Sequence, residues 1–179
     1  QDGHCRLFEN YGEDNHRLLS LLKPPFPAEL TPLMERVRPL IHTNTQNDRW
    51  RVSINYYNRK PSAETEHLSG FPFHKDLRAN GNHTFILSLD YGLLEFLPCP
   101  DRFDGMPTQE RLEHYLKKTD PLPLLVRPGE LIWLDGSLPP GSGCGRWDWL
   151  HRVVPTNEFF EFEGRQYQTQ HRISLVFGR

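Results

Sequence analysis

Prolines constrain this chain before any other feature does. There are 16 in 179 residues, and each fixes φ and removes a backbone donor, which argues against a bundle of helices. Many short strands joined by turns fit instead. The clearest is "RWRVSINYYN", residues 49–58, where Trp50, Val52, Ile54 and Tyr56 alternate with Arg49, Arg51, Ser53, Asn55 and Tyr57. A period of two lays one apolar face on a core and sends Ser53, Asn55 and Tyr57 together to the opposite face.

The remaining segments follow the same reading. In "PAELTPLMERVRPLI" the apolar residues Leu30, Leu33, Met34, Val37, Leu40 and Ile41 recur at three and four, which predicts an amphipathic helix packed on the core. "HRLLSLL", 16–22, has the spacing of a short helix stopped by "KPPFP". "RKPSAETEHLSG" is a surface loop, and "HTFILSLDYGLLEFLP" predicts two strands about a turn at Asp90, Tyr91 and Gly92. Thr108 caps a short helix in "TQERLEHYLKKTD", within an insertion at about 99–120. "PLPLLVRPGELIWLDGS" predicts strands broken at a Pro-Gly turn, and "LPPGSGCGRWD" is irregular. "WLHRVVP", a hairpin in "FFEFEGRQYQT" across Glu163 and Gly164, and "HRISLVFGR" complete the strands. The expectation is one mainly-β domain over 1–179. Helical support fills about 1–48, and a β-sandwich or jelly-roll core fills about 49–179, with room for a site in the mouth between its sheets.

A formal net charge of -2 supplies no overall basic field to draw the domain to nucleic acid or an anionic membrane. Cys5, Cys99 and Cys144 are odd in number, and no C-x-x-C pair occurs, so free thiols in a reducing compartment are expected. The start "QDGHCRLFEN" lacks the regions of a signal peptide. An intracellular setting, nuclear or cytoplasmic, is the expectation.

Polar residues on strands that are otherwise apolar need a reason to be there. In "GFPFHKDL", His74 and Asp76 share parity, so an extended backbone points both to one face. His151 sits in "WLHRVV" among large apolar neighbours, and Arg172 and Ser174 share a face of the last strand. An H-x-D pair is common by chance, and a lone strand histidine is more often a hydrogen-bonded core residue. Taken together they match two imidazoles and a carboxylate with open positions, the arrangement that holds non-haem Fe(II) for oxygen chemistry. An arginine on such a face is costly unless an anion pairs with it.

The ordered set N-x-Y at Asn55 and Tyr57, H-x-D at His74 and Asp76, "PGELIWLDG", "WLHRVVP" and "RISLVF" resembles the AlkB-like Fe(II)/2-oxoglutarate dioxygenases. The resemblance runs from about Pro27 to Phe177, and "RISLVF" is equally similar to the ending of the TET group of methylcytosine oxidases. It implies a double-stranded β-helix with His74, Asp76 and His151 as metal ligands. Arg172 would bind the distal carboxylate of 2-oxoglutarate, with Asn55, Tyr57 and Ser174 as further hydrogen-bond partners. The implied cofactor set is Fe(II), 2-oxoglutarate and O2. The implied reaction is hydroxylation or oxidative demethylation of a methyl or alkyl group on a nucleic-acid base, with release of succinate and CO2. DNA or RNA bearing a modified base is the implied partner of a monomer. The alternatives are a protein or small-molecule hydroxylase of the same superfamily, and a jelly-roll binding module without catalysis.

The chain departs from the pattern at the substrate side. Leu77 and Arg78 follow Asp76 where repair enzymes of this type usually carry an acidic residue, and the second family arginine would fall on Gly178, with Arg179 one place later. The loop 60–70 and the insertion 99–120 lie where that family carries its lids. Candidates to stack on a flipped-out base are Tyr56, Phe71, Phe73, Trp147 and Trp149. Candidates to meet phosphate are Arg49, Arg51, Arg59, Lys60, Lys75 and Arg78.

Overall fold

A computed structural model of the chain describes residues 28–40, 50–57, 70–78, 81–156, 158–169 and 172–178 in full, and 16–22, 58 and 171 by their backbone. The elements in order are β1 (His16–Leu22), α1 (Thr31–Val37) between two 3-10 turns, β2 (Arg51–Asn58), β3 (Phe71–His74), β4 (Thr84–Ser88) and β5 (Gly92–Pro98). They continue with α2 (Gln109–Leu116), β6 (Leu122–Val126), β7 (Leu131–Leu134), β8 (Trp149–Val153), β9 (Phe159–Phe162), β10 (Arg165–Gln168) and β11 (His171–Gly178).

Two antiparallel sheets form, β1-β2-β11-β4-β7 and β3-β8-β5-β6, with β9 and β10 a separate hairpin. Strands β2, β11, β4 and β7 on one side interleave in sequence with β3, β8, β5 and β6 on the other. The chain thus winds back and forth between the sheets, and the strand order is that of a double-stranded β-helix, the mainly-β jelly roll expected from the sequence. At Glu163 (φ 51°) and Gly164 (φ 73°) consecutive left-handed residues make the tight β9–β10 turn, as expected.

The apolar cores lie on the outer faces of this sandwich. Met34 and Val37 of α1 pack with Trp50, Val52, Phe85 and Phe177 against the outside of the larger sheet. Phe73, Leu97, Cys99 and Leu150 form a second cluster outside the smaller sheet, covered by Phe103, Leu112 and Tyr115. The Thr108 hydroxyl accepts a hydrogen bond from the Arg111 N–H (3.3 Å), the expected cap of α2. Because side chains alternate, filling the outer faces with these residues turns Ser53, Asn55, Tyr57, Ile86, Leu94, His151, Arg172, Ser174 and Val176 toward the space between the sheets.

One expectation is corrected. Residues 16–22 are strand β1, paired antiparallel with β2, and do not form a helix. Seven residues of helical spacing are too short to hold a helix alone, and the unpaired edge of β2 offers a full ladder of backbone partners. The two strands expected about the Asp90 turn form as β4 and β5, one in each sheet. The Asp90 turn, which the Ser88 hydroxyl pins by donating to the Asp90 carbonyl (2.6 Å), carries the chain from one sheet to the other. Among the described residues no helix is long and apolar enough to cross a membrane.

Candidate metal centre

Local pairing brings the two halves of the proposed ligand set together. His74 at the end of β3 is the direct cross-strand partner of His151 on β8, and His151 is in turn partnered by Phe96 on β5. The β3–β8 register slips between Phe71 and His74, so both of these face inward although they are three residues apart. Beyond His74 the chain stays extended, because the Lys75 backbone exchanges hydrogen bonds of 2.9 Å in both directions with Gly105. Lys75 therefore points outward and Asp76 inward.

The result is a compact donor set. One ligand atom each from His74, Asp76 and His151 lies within 4.8 Å of the others. Nε2 of His74 is 3.7 Å from Asp76 Oδ1, and Nε2 of His151 is 3.8 Å from the same oxygen. The His74 Nδ1 is 2.9 Å from the Pro72 carbonyl oxygen, so Nδ1 carries the proton and Nε2 presents its lone pair to the site. Burial, followed by the neighbouring His74, pushes the His151 pKa down to about 3, and burial likewise lowers that of His74. Burial would raise the Asp76 carboxyl, but His151, His74 and the Arg146 guanidinium outweigh it and hold the group below its usual range. Two neutral imidazoles beside a carboxylate are the protonation states a divalent cation requires. Asp76 Oδ2 is buried with no hydrogen-bond partner, an acceptor that a cation would satisfy. The residues present fit a metal ion.

All seven candidate site residues line one cavity of about 360 Å³. Across it from the metal ligands, Arg172 is 1% exposed, and its Nε and Nη1 have no hydrogen-bond partner. Its guanidinium lies 4.8 Å from the centre of the Tyr57 ring, and desolvation lowers its pKa. Ser174 and Asn55, both buried, are cross-strand partners beside it, and the Asn55 amide donates to the Ser53 hydroxyl (3.3 Å). A buried cation with unused donors, next to amide and hydroxyl groups, is a receptor for an anion.

The candidates for base and phosphate contact scatter. Phe71 lines the cavity and meets His74 edge-on at 4.5 Å between centroids. Phe73 and Trp147 are buried in packing, and Trp149 sits at a second groove of about 370 Å³ behind His151. Lys75 is not a phosphate contact. It is 2% exposed, and its ammonium donates to the main-chain carbonyls of Cys99 (2.6 Å), Asp101 (2.7 Å) and Trp147. The Arg78 guanidinium lies over the Trp147 ring at 4.9 Å, and Leu77, half exposed, lines the cavity mouth with Met106 and Gly105 of the 99–120 segment. Cys99 is buried and Cys144 exposed, both free. Cys5, Ile41, Arg49, Arg59, Lys60, the loop up to residue 69 and Arg179 lie outside the described residues.

Three contributors escaped sequence reasoning. Gly92 leaves the space that Arg172 fills, Thr84 stands beside Asp76, and Arg146 is 7% exposed within a loop read as irregular. The only signal for Arg146 was a charged residue next to an aromatic in "GRWDW", which does not separate a buried arginine from a solvated one.

No family model and no curated protein matches the chain. Among solved structures, Fe(II)-HppE with the alternative substrate (S)-1-HPP aligns at TM-score 0.44 and 7% identity, over 98% of this chain and 56% of that one. EvdMO1 aligns at 0.40 and 16% identity, over 72% and 26%. A cupin-2 domain containing protein from Shewanella frigidimarina aligns at 0.32 and 6% identity, over 82% and 92%. The chain thus spans about half the length of the first and about a quarter of the second.

Proposed function

We propose that the chain is an Fe(II)/2-oxoglutarate-dependent dioxygenase that oxidises a C–H bond. The observation that carries this reading is the Arg172 guanidinium, buried and short of partners, in the same cavity as His74, Asp76 and His151. His74, Asp76 and His151 would hold the metal. Arg172 would take the far carboxylate of 2-oxoglutarate, with Tyr57, Asn55 and Ser174 supplying hydroxyl and amide groups. When bound, Fe(II) supplies the dioxygen chemistry that couples decarboxylation of the 2-oxo acid to substrate oxidation. Overall, R–H, 2-oxoglutarate and O2 give R–OH, succinate and CO2. The apolar walls, Ile86, Leu94, Val153 and Val176, would exclude water from the reacting groups.

For the substrate, the mouth supports the hydroxylase alternative over a nucleic-acid base. The described residues there are Phe71, Leu77, Gly105 and Met106, none of them charged, and Lys75 is committed elsewhere. We propose a small, uncharged apolar group as the part that enters.

The test is anaerobic titration of the metal-free protein with Fe(II) and 2-oxoglutarate, watching for the visible charge-transfer band of the chelate. A band in the wild type that is lost in His74→Ala and in Arg172→Met is expected. Absence of the band in the wild type would sink the reading. Succinate release with apolar small molecules, peptides and methylated single-stranded oligonucleotides then sorts substrates. Stimulation by oligonucleotides alone would overturn the substrate assignment.

A further inference from the structure

The turn Arg146–Trp147–Asp148 is buried at all three residues, 7%, 7% and 3% exposed, inside a loop rich in glycine, serine and proline. Two of the three have structural work. The Trp147 carbonyl accepts from Lys75, and its indole N–H donates to the Gly136 carbonyl (3.1 Å). The Asp148 carboxylate gathers the glycine loop, accepting from the N–H groups of Gly141 (2.5 Å) and Gly143 (2.6 Å) and from the Ser142 hydroxyl (3.0 Å).

Arg146 is different, because its partners are the ligand Asp76 and its neighbour Thr84. Its Nη1 donates to the Thr84 hydroxyl oxygen (2.8 Å), and its Nη2 is 3.4 Å from the main-chain carbonyl of Asp76. Thr84 is itself buried, at 1% exposure, and stands beside the Asp76 carboxyl, favouring its charged form. A hydroxyl that accepts from a guanidinium has its own proton left for the carboxylate, and each bond polarises the next. Arg146 does not line the cavity that holds the three ligands; it faces the groove behind His151. It therefore stands clear of any co-substrate and acts on the site through other residues. Its stem lies against Trp147, with the guanidinium 4.3 Å from the ring centre, so its place is set by packing on one side and by Thr84 and Asp76 on the other.

We propose that Arg146 is a positioning residue for the metal site: acting through the Thr84 hydroxyl and the Asp76 main-chain carbonyl, it fixes the direction in which the Asp76 carboxylate faces His74 and His151. The inference rests on the metal-binding reading of those three residues. Outer partners of a ligating carboxylate change metal affinity by about 10- to 100-fold when removed, and the expectation lies in that range.

The test uses anaerobic Co(II), whose visible spectrum reports ligand geometry without any turnover. Wild type, Arg146→Lys, Arg146→Met and Thr84→Val are compared by Co(II) dissociation constant, Co(II) spectrum and thermal unfolding. Arg146→Met is expected to weaken Co(II) about tenfold or more and to alter the spectrum. Arg146→Lys, which keeps the charge, should recover part of both. Thr84→Val, nearly isosteric, should shift both in the same direction as Arg146→Met, and it keeps the test alive if Arg146→Met does not fold. Wild-type affinity and spectrum in Thr84→Val together with Arg146→Lys or Arg146→Met would overturn the inference while leaving the metal site standing. Failure of the wild type to bind Co(II) at all would instead overturn the metal reading and this inference with it.

Discussion

Gly92 on β5 and Arg172 on β11 meet across the sandwich so closely that the first carbon of a side chain at position 92 would overlap Nε and Cδ of the arginine. The smaller sheet thus leaves a notch, and the guanidinium lies in it. Gly92→Ala has no flexible neighbour to displace except Arg172 itself, so the arginine must swing out of place. If Arg172 holds 2-oxoglutarate as proposed, the expected result is a loss of 2-oxoglutarate affinity of about tenfold, roughly 1.4 kcal/mol, with Co(II) affinity unchanged. Equilibrium titration of both ligands checks it, and unchanged 2-oxoglutarate binding would refute it.

A buried cation without an anion should burden the empty protein. Arg172 is 1% exposed, with Nε and Nη1 lacking partners, and an unsatisfied buried donor costs about 1–3 kcal/mol. Arg172→Met, similar in length and apolar, should raise the stability of the ligand-free protein by about that amount and, on the proposed reading, abolish 2-oxoglutarate binding. Urea unfolding with and without 2-oxoglutarate measures both. A destabilised Arg172→Met would mean that the contact of the guanidinium with Tyr57 outweighs the cost of its unsatisfied donors.

Strand alternation is why so much of this site was legible in the sequence. Ser53, Asn55 and Tyr57, then Arg172 and Ser174, were placed on inward faces by parity alone, and they line one cavity. His74 and Asp76 obeyed parity because the Lys75–Gly105 bridge keeps the backbone extended past the end of β3. What failed was what parity does not encode. The 16–22 segment has helical spacing but is recruited to the edge of β2, a tertiary choice. Lys75 reads as a surface cation, and only the fold brings the carbonyls of Cys99, Asp101 and Trp147 around it. Gly92 matters through an arginine 80 positions away, a contact no local pattern records.

The buried imidazoles set the direction of the pH response. His151 has its pKa pushed from 6.5 down to about 3, so the unfolded chain binds the proton more readily than the folded one. Stability from this group is therefore complete above about pH 6.5 and is lost as pH falls from there toward 3, at up to about 1.4 kcal/mol per pH unit. His74, lowered by burial, adds in the same direction. Metal-free protein should unfold at a lower temperature at pH 5 than at pH 7.5, and His151→Gln should flatten that slope. A melting temperature that rises on acidification over this range would contradict the assignment.

Lys75 joins the ligand strand to the rest of the fold, and its loss should be felt at the metal. Its ammonium donates to three main-chain carbonyls from two separate segments, 99–101 and the turn at Trp147, and its own neighbours in sequence are His74 and Asp76. The Phe103 ring, 4.8 Å away, adds a cation–π contact. Replacing it by methionine keeps the packing of the stem but leaves the carbonyls short of a donor, at about 1 kcal/mol each, or about 3 kcal/mol in all. Lys75→Met should therefore lower the urea midpoint without changing the slope of the transition. Because the strand holding His74 and Asp76 is then less firmly tied down, Co(II) should also bind more weakly. A stability within about 0.5 kcal/mol of wild type, the range of ordinary surface substitutions, would show that the lysine is not engaged as described.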